Sequence, residues 1–199
     1  MLLSLATLTA LSTVGHATCA THVDMGNHRI VNVSNPVNAK DVVNKRSLEA
    51  YMYETMKNRY LRDASKDVVL DVSTNLMWQD DAAASTVTKQ WLTTANYNAS
   101  DWFDTSGDTA TTYCENLTLG GYSDWYLPSK EELAGIVKST VNNPSISGVF
   151  QHTASNGYWS STTNANYSFP AWIVYFDDGS QYSNSKSYNG YVRCVRAGQ

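Results

Sequence analysis

The sequence predicts an α+β protein: a head of antiparallel sheets with two helices over residues 67–199, preceded by a short helical segment over residues 21–62. Three observations carry this reading. From Asp67 onward, short runs rich in Val, Ile, Tyr and Trp alternate with Gly-, Asn-, Asp- and Ser-containing turns, the pattern of half-buried strands. Two stretches inside that region, Thr109–Leu117 and Lys130–Lys138, read as helices. Residues 21–62 differ in texture: they lack Trp, are dense in Lys and Arg, and place Leu48, Met52, Met56 and Tyr60 four apart on one helical side. A chain of 199 residues has room for one well-packed core and an accessory segment.

The first element, Met1–Ala17, is apolar and too short to span a bilayer comfortably, and Gly15 and Ala17 have the small-residue spacing that suits signal peptidase. Residues 1–20 are expected to be a signal peptide. The basic opening usual in such signals is missing, which leaves open a start further upstream, and Cys19 follows no convincing lipobox. Cleavage after Ala20 would leave Cys114 and Cys194, which would pair in the oxidising compartment that export implies. A bridge closing about 80 residues contributes on the order of 4 kcal/mol by loop entropy. Two unpaired buried thiols are the alternative.

In the second element Asn35-Pro36 breaks the chain, Asn38 can cap, and Asp41–Met56 carries the apolar stripe. A helix of that length is marginal alone, so its stripe needs partners, either the head or sister chains. Met25–Pro36 followed by Lys40–Lys45 resembles the segment that joins a β-structured shaft to a helical neck in phage tail fibres and trimeric adhesins. That resemblance implies a trimerisation neck over residues 21–62 and a homotrimer.

In the head, Val68–Val72 and Asn75–Gln79 read as a hairpin turning at Ser73-Thr74. Ala82–Asp108, rich in Ala, Thr, Asn and Ser, reads as a long surface excursion with no assigned structure. The helix carrying Cys114 ends before Gly120-Gly121. Ser129 and Glu132 form a capping box for the second helix. Tyr158–Thr162, Ala171–Phe176, the Asp177-Asp178-Gly179 turn and Tyr191–Arg196 complete an antiparallel sheet whose final strand is pinned by Cys194. Arg193 and Arg196, an odd number of positions apart on that strand, are expected on opposite faces, with one of them paired to a carboxylate.

The blocks Asn75–Gln79, Tyr113–Leu117, Gly121–Leu133, Tyr158–Thr162, Ala171–Phe176 and Tyr191–Arg196, in that order, resemble the Lcl-type C-terminal domain family, named after a collagen-like bacterial adhesin. The resemblance implies a C-type lectin-like fold, of the branch that also holds formylglycine-generating enzymes and retroelement-diversified binding proteins. It also implies attachment as the role, and a structural bridge between Cys114 and Cys194. The family's adhesin binds sulfated glycans, whereas this chain carries a net charge of -4, which argues against a polyanion.

In such a fold the segments between the last strands display ligand contacts. Here these are Thr163–Phe169, with Asn164, Asn166 and Tyr167, and Gln181–Asn189, with Tyr182, Asn184, Lys186, Tyr188 and Asn189. Tyr faces stack on sugar rings or apolar patches while Asn and Ser supply paired donors and acceptors. Trp78, Trp125, Trp159 and Trp172 sit in apolar runs and read as core; Trp172, between the two segments, is also carried among the ligand contacts. Asp80-Asp81 and Asp177-Asp178 could offer oxygens to calcium, but no regular ligand loop surrounds either pair, and neither metal nor cofactor is assigned.

The scattered Lys and Arg form no basic face for nucleic acid. His16, His22, His28 and His152 have no metal-ligand spacing, and no nucleophile elbow or phosphate-cradling loop is present, so catalysis is not expected. The expected protein is an exported, secreted or bacterial surface adhesin that binds a glycan or a protein receptor and inserts in no membrane once its signal is removed. A phage tail-fibre tip on a virion and an enzyme of the formylglycine-generating branch are the alternatives.

Overall fold

The computed structural model describes residues 58–198. The expected hairpin is present: β2 (Val68–Asp71) pairs antiparallel with β3 (Leu76–Gln79), Val68 opposite Gln79 and Asp71 opposite Leu76. Its turn is set by Asp71, whose carboxylate accepts from the Ser73 N–H and hydroxyl, and by Asn75 at φ +53°. A further strand, β1 (Tyr60–Asp63), adds to the outside of β2.

Strand β1 corrects the reading of Tyr60 as the last member of the helical stripe. Its ring lies edge-on to Phe150 at 5.2 Å, and its neighbours reach across the sheet, Arg59 to Asp71 at 2.7 Å and Arg62 to Asp80 at 2.8 Å. Two buried carboxylates thus draw the segment into the sheet, and the head begins by Tyr60 and not at residue 67. The remaining stripe residues, the trimerisation neck, the signal peptide and Cys19 lie outside the described residues.

The 82–108 excursion is ordered around short elements: a 3-10 turn (Ala82–Ser85) capped by Asp81, β4 (Thr88–Gln90), and α1 (Thr94–Asn98) capped by Thr93. It is anchored by burial of Trp91 and Leu92, with the Trp91 indole N–H donating to the Ser160 carbonyl at 2.9 Å. Helix α2 (Ala110–Glu115) is closed by a Thr109/Thr112 capping box, and α3 (Lys130–Gly135) by the expected Ser129/Glu132 box. Helix α3 stops short of Lys138 because Ile136 turns into the core and Val137 bridges to Ile146.

Five strands form the second sheet in the order β4-β8-β5-β6-β7, where β5 is Gly157–Thr163, β6 Pro170–Tyr175, β7 Gln181–Ser185 and β8 Asn189–Tyr191. Alternation along β5 and β6 sends Trp159, Ala171 and Ile173 into one core with Trp91, Leu92 and the cysteines. Tyr158, Val174 and Phe176 enter another with Trp78, Leu133 and Ile136. Both faces of the central strands are therefore covered, and only the outer strand β7 and the loops around it are left open.

The final run is not the single strand expected. Residue Tyr191 ends β8 beside Tyr158, and β9 (Val195–Ala197) belongs to the first sheet, paired with β3. The chain changes sheets because Cys194 is held at both ends: bridged to Cys114 with Cα atoms 5.4 Å apart, and exchanging bonds with Gln79 through both its N–H and carbonyl. The disulfide is thus the expected one. Of the two arginines, Arg196 pairs with Asp124 through two bonds of 2.6 and 3.0 Å. Buried Arg193 lies under the Tyr158 and Phe150 rings and donates to Thr153 at 2.7 Å.

Candidate ligand-binding face

The β6–β7 hairpin positions most of the expected ligand contacts, and its pleat divides them. Pairing sets Tyr182 opposite Ile173 and Asn184 opposite Ala171, on the side of the disulfide core; Ser183 faces Trp172 on the other side. The turn that fixes this register is the expected one, with Gly179 at φ +84° and the Asp178 carboxylate accepting from the Ser180 N–H.

On the first side Tyr182 packs edge-on to Tyr175 at 6.0 Å, and Tyr188 lies edge-on to Trp159 at 6.3 Å. Burial, reinforced by the adjacent Tyr188 phenol, raises the pKa of the Tyr175 hydroxyl. Exposed Asn189 starts β8 beside them. On the opposite side half-buried Trp172 lies under the Lys130 ammonium at 4.5 Å, and Asn164 reaches the Ser183 hydroxyl at 3.3 Å. Asn164 also caps its own loop, its side-chain oxygen accepting from the Asn166 backbone N–H at 2.9 Å, and Tyr167 leans on Phe169 at 6.0 Å. The expected residues thus fall on a tyrosine cluster, an Asn–Trp side and a loop tip, not on one surface.

Among the described residues, the large hydrophobic side chains left exposed are Phe103, Tyr126, Val141, Tyr167, Phe169, Tyr182 and Tyr188. All but Tyr126 and Val141 lie on β7, the turn after it, or the two loops that meet that turn. Phe103 and Phe169 at 71% and 45% exposure, and Tyr175 beneath Tyr182, belong to this neighbourhood and were not singled out by the sequence. Phe169 was legible as an aromatic in the displayed segment, whereas Phe103 sits in an excursion with no periodicity to read.

Lys186 departs from expectation. It is buried, and its ammonium donates to the Trp102 carbonyl at 2.6 Å and the Ser168 carbonyl at 2.7 Å. The ammonium lies 4.2 Å from the Trp91 ring centroid and 5.0 Å from that of Phe103. Burial lowers its pKa to about 8. The ammonium is thus enclosed by the protein's own carbonyls and rings.

Of the two carboxylate pairs weighed for calcium, Asp80-Asp81 is engaged in the fold, and in the other Asp178 accepts from the Ser180 N–H. Asp80 accepts from Arg62 and from the Gln151 and His152 N–H groups, and Asp81 caps the 3-10 turn. The open depression lined by Gly107, Asp108, Thr112 and Tyr113, and the smaller apolar one beside Leu76, Trp78 and Glu131, contain none of the expected contacts. Among the described residues, no helix is long and apolar enough to cross a membrane.

The family model for the Lcl C-terminal domain matches residues 67–196, from the start of β2 into β9. The chain belongs to the Lcl C-terminal domain family. No curated protein matches it. The Lcl C-terminal domain so delimited contains the two bridged cysteines and the whole aromatic neighbourhood, while β1 precedes the match.

Proposed function

We propose that this protein is an exported, non-catalytic adhesin that binds a glycan or a protein receptor through the aromatic face around β7. Its head is C-type lectin-like, and the segment from residue 21 up to β1 joins three copies through a neck. The observation that carries the proposal is the concentration of exposed aromatics, with Tyr167 and Tyr182 each 62% exposed, on the one strand and loops that neither core covers. Exposed aromatic side chains cost the free protein solvation and are recovered on stacking against a sugar face or an apolar patch. On the side of Tyr182 and Tyr188, Asn184 and Asn189 supply the directional hydrogen bonds that such a contact needs.

Membership in the Lcl C-terminal domain family supports attachment by analogy of fold, which sets an expectation and not a ligand. The test is a glycan array probed with oxidised protein from residue 21 onward, at moderate and high salt, with mass by light scattering on the same sample. Binding by a trimer, lost when Tyr167, Tyr182 and Tyr188 are replaced by Ala, supports the reading. Absence of glycan binding by a folded trimer directs the search to a protein receptor, and a monomer refutes the neck.

A further inference from the structure

A buried lysine normally has a carboxylate beside it, and among the described residues Lys186 has none. Its charge is held by two main-chain carbonyls and two aromatic faces contributed by segments far apart in sequence: Trp102 and Phe103 after α1, and Ser168 before β6. The backbone of the same residue repeats the pattern. Its N–H donates to the Phe169 carbonyl at 3.2 Å, and its own carbonyl accepts from both the Trp91 and Leu92 N–H groups at 3.0 Å. The residues next to these atoms are Phe103, Tyr167, Phe169 and Tyr188, four of the exposed aromatics of the proposed face.

We infer that Lys186 is the positioning residue of the aromatic face, a clasp that fastens the Trp102–Phe103 loop and the Ser168–Phe169 loop to the turn between β7 and β8. The inference rests on the proposed ligand-binding reading for its purpose, but not for its mechanics. Loop aromatics held in fixed relative positions bind without the ordering cost that independent loops incur. The ionisable groups on the packed segments leave the ammonium alone: Asp104 accepts from the Ser106 N–H, Lys89 of β4 pairs with Asp108, Asp101 is exposed, and Tyr167 and Tyr188 point outward as exposed side chains.

The experiment is amide hydrogen exchange at pH 7 on the oxidised protein and on Lys186→Met, which keeps an unbranched apolar chain and removes the donors to the Trp102 and Ser168 carbonyls. The readout is the opening of residues 100–104 and 166–170, with strands β5 and β6 as the internal reference.

In Lys186→Met the same two loops should exchange at least tenfold faster while β5 and β6 keep their protection. Loops unaffected by the Met substitution overturn the clasp. If that variant does not fold, Lys186→Gln, which keeps an N–H donor, is read the same way: faster exchange confined to the two loops supports the clasp, and unchanged exchange overturns it. A clasp confirmed in a protein that binds neither glycan nor receptor refutes the ligand reading alone; tyrosine-dependent binding by a protein with independent loops refutes the clasp alone.

Discussion

Breaking the Cys114–Cys194 bridge should destabilise the head far more than any single surface change. The bridge spans a separation of 80 residues and ties α2 to the point where the chain passes from one sheet to the other. In the chain-entropy model a loop of that size costs the unfolded chain about 15 cal/mol/K, or about 4.5 kcal/mol at 25 °C. Both cysteines are fully buried in the first core, so reduced thiols keep nearly all their packing and the comparison isolates the cross-link. With a urea dependence of about 2 kcal/mol/M for a domain of this size, the midpoint should fall by about 2 M. The assay is urea unfolding followed by Trp fluorescence, on protein unfolded and refolded with and without reductant, with a Cys114→Ala/Cys194→Ala variant as a second reduced state. A shift under about 0.5 M in the reduced wild type would refute the reasoning, since the unfolded chain would then not be constrained as supposed.

Three further outcomes follow from local geometry. Gly179→Ala should lose about 2 kcal/mol in the same urea titration, because the turn needs φ +84° and an added Cβ would stand 2.7 Å from the Val137 side chain. Ser129→Ala removes the acceptor for the Glu132 N–H at the start of α3 and should cost about 1 kcal/mol by thermal unfolding. The Arg196 guanidinium holds the Asp124 carboxyl below its ordinary value of 3.8, so that pair stabilises the head above this pH and its contribution is lost as pH falls through the lower folded value. An acid titration of the melting temperature should show that loss in the wild type and not in Asp124→Asn.

What could be read from the sequence is what local chemistry decides. Ser129 and Glu132 satisfy each other's backbone N–H groups three residues apart, Gly179 alone suits its turn, and the Val68–Gln79 hairpin alternates over a single short loop. What could not be read is set by partners remote in the chain. The last run keeps an apolar alternation through Val192 and Cys194, yet it divides because Gln79 and Cys114 hold Cys194 between the sheets. Tyr60 fits a helical spacing but joins a strand because Asp71 and Asp80 attract its flanking arginines.

The recognition face shows the same division. Two Tyr-, Asn- and Ser-rich segments mark where the sheet is left uncovered, and Tyr167, Tyr182 and Tyr188 are indeed exposed there. The pleat of β7, which sends Tyr182 and Ser183 to opposite sides, is not marked by any apolar alternation in Gln181–Ser185. Lys186 among serines reads as solvated, because the carbonyls that bury it belong to residues 84 and 18 positions away. Phe103 became part of the neighbourhood only through the same contact.

The most direct test of the account compares attachment of wild-type protein, Tyr182→Ala and Val141→Ala to the surface or glycan that the wild type recognises. Both side chains are exposed, so both substitutions should leave the urea midpoint within about 0.5 kcal/mol of the wild type. The account predicts that the tyrosine variant loses at least tenfold in affinity while the valine variant binds normally. Equal binding by all three proteins, at equal stability, would contradict the assignment of the β7 face.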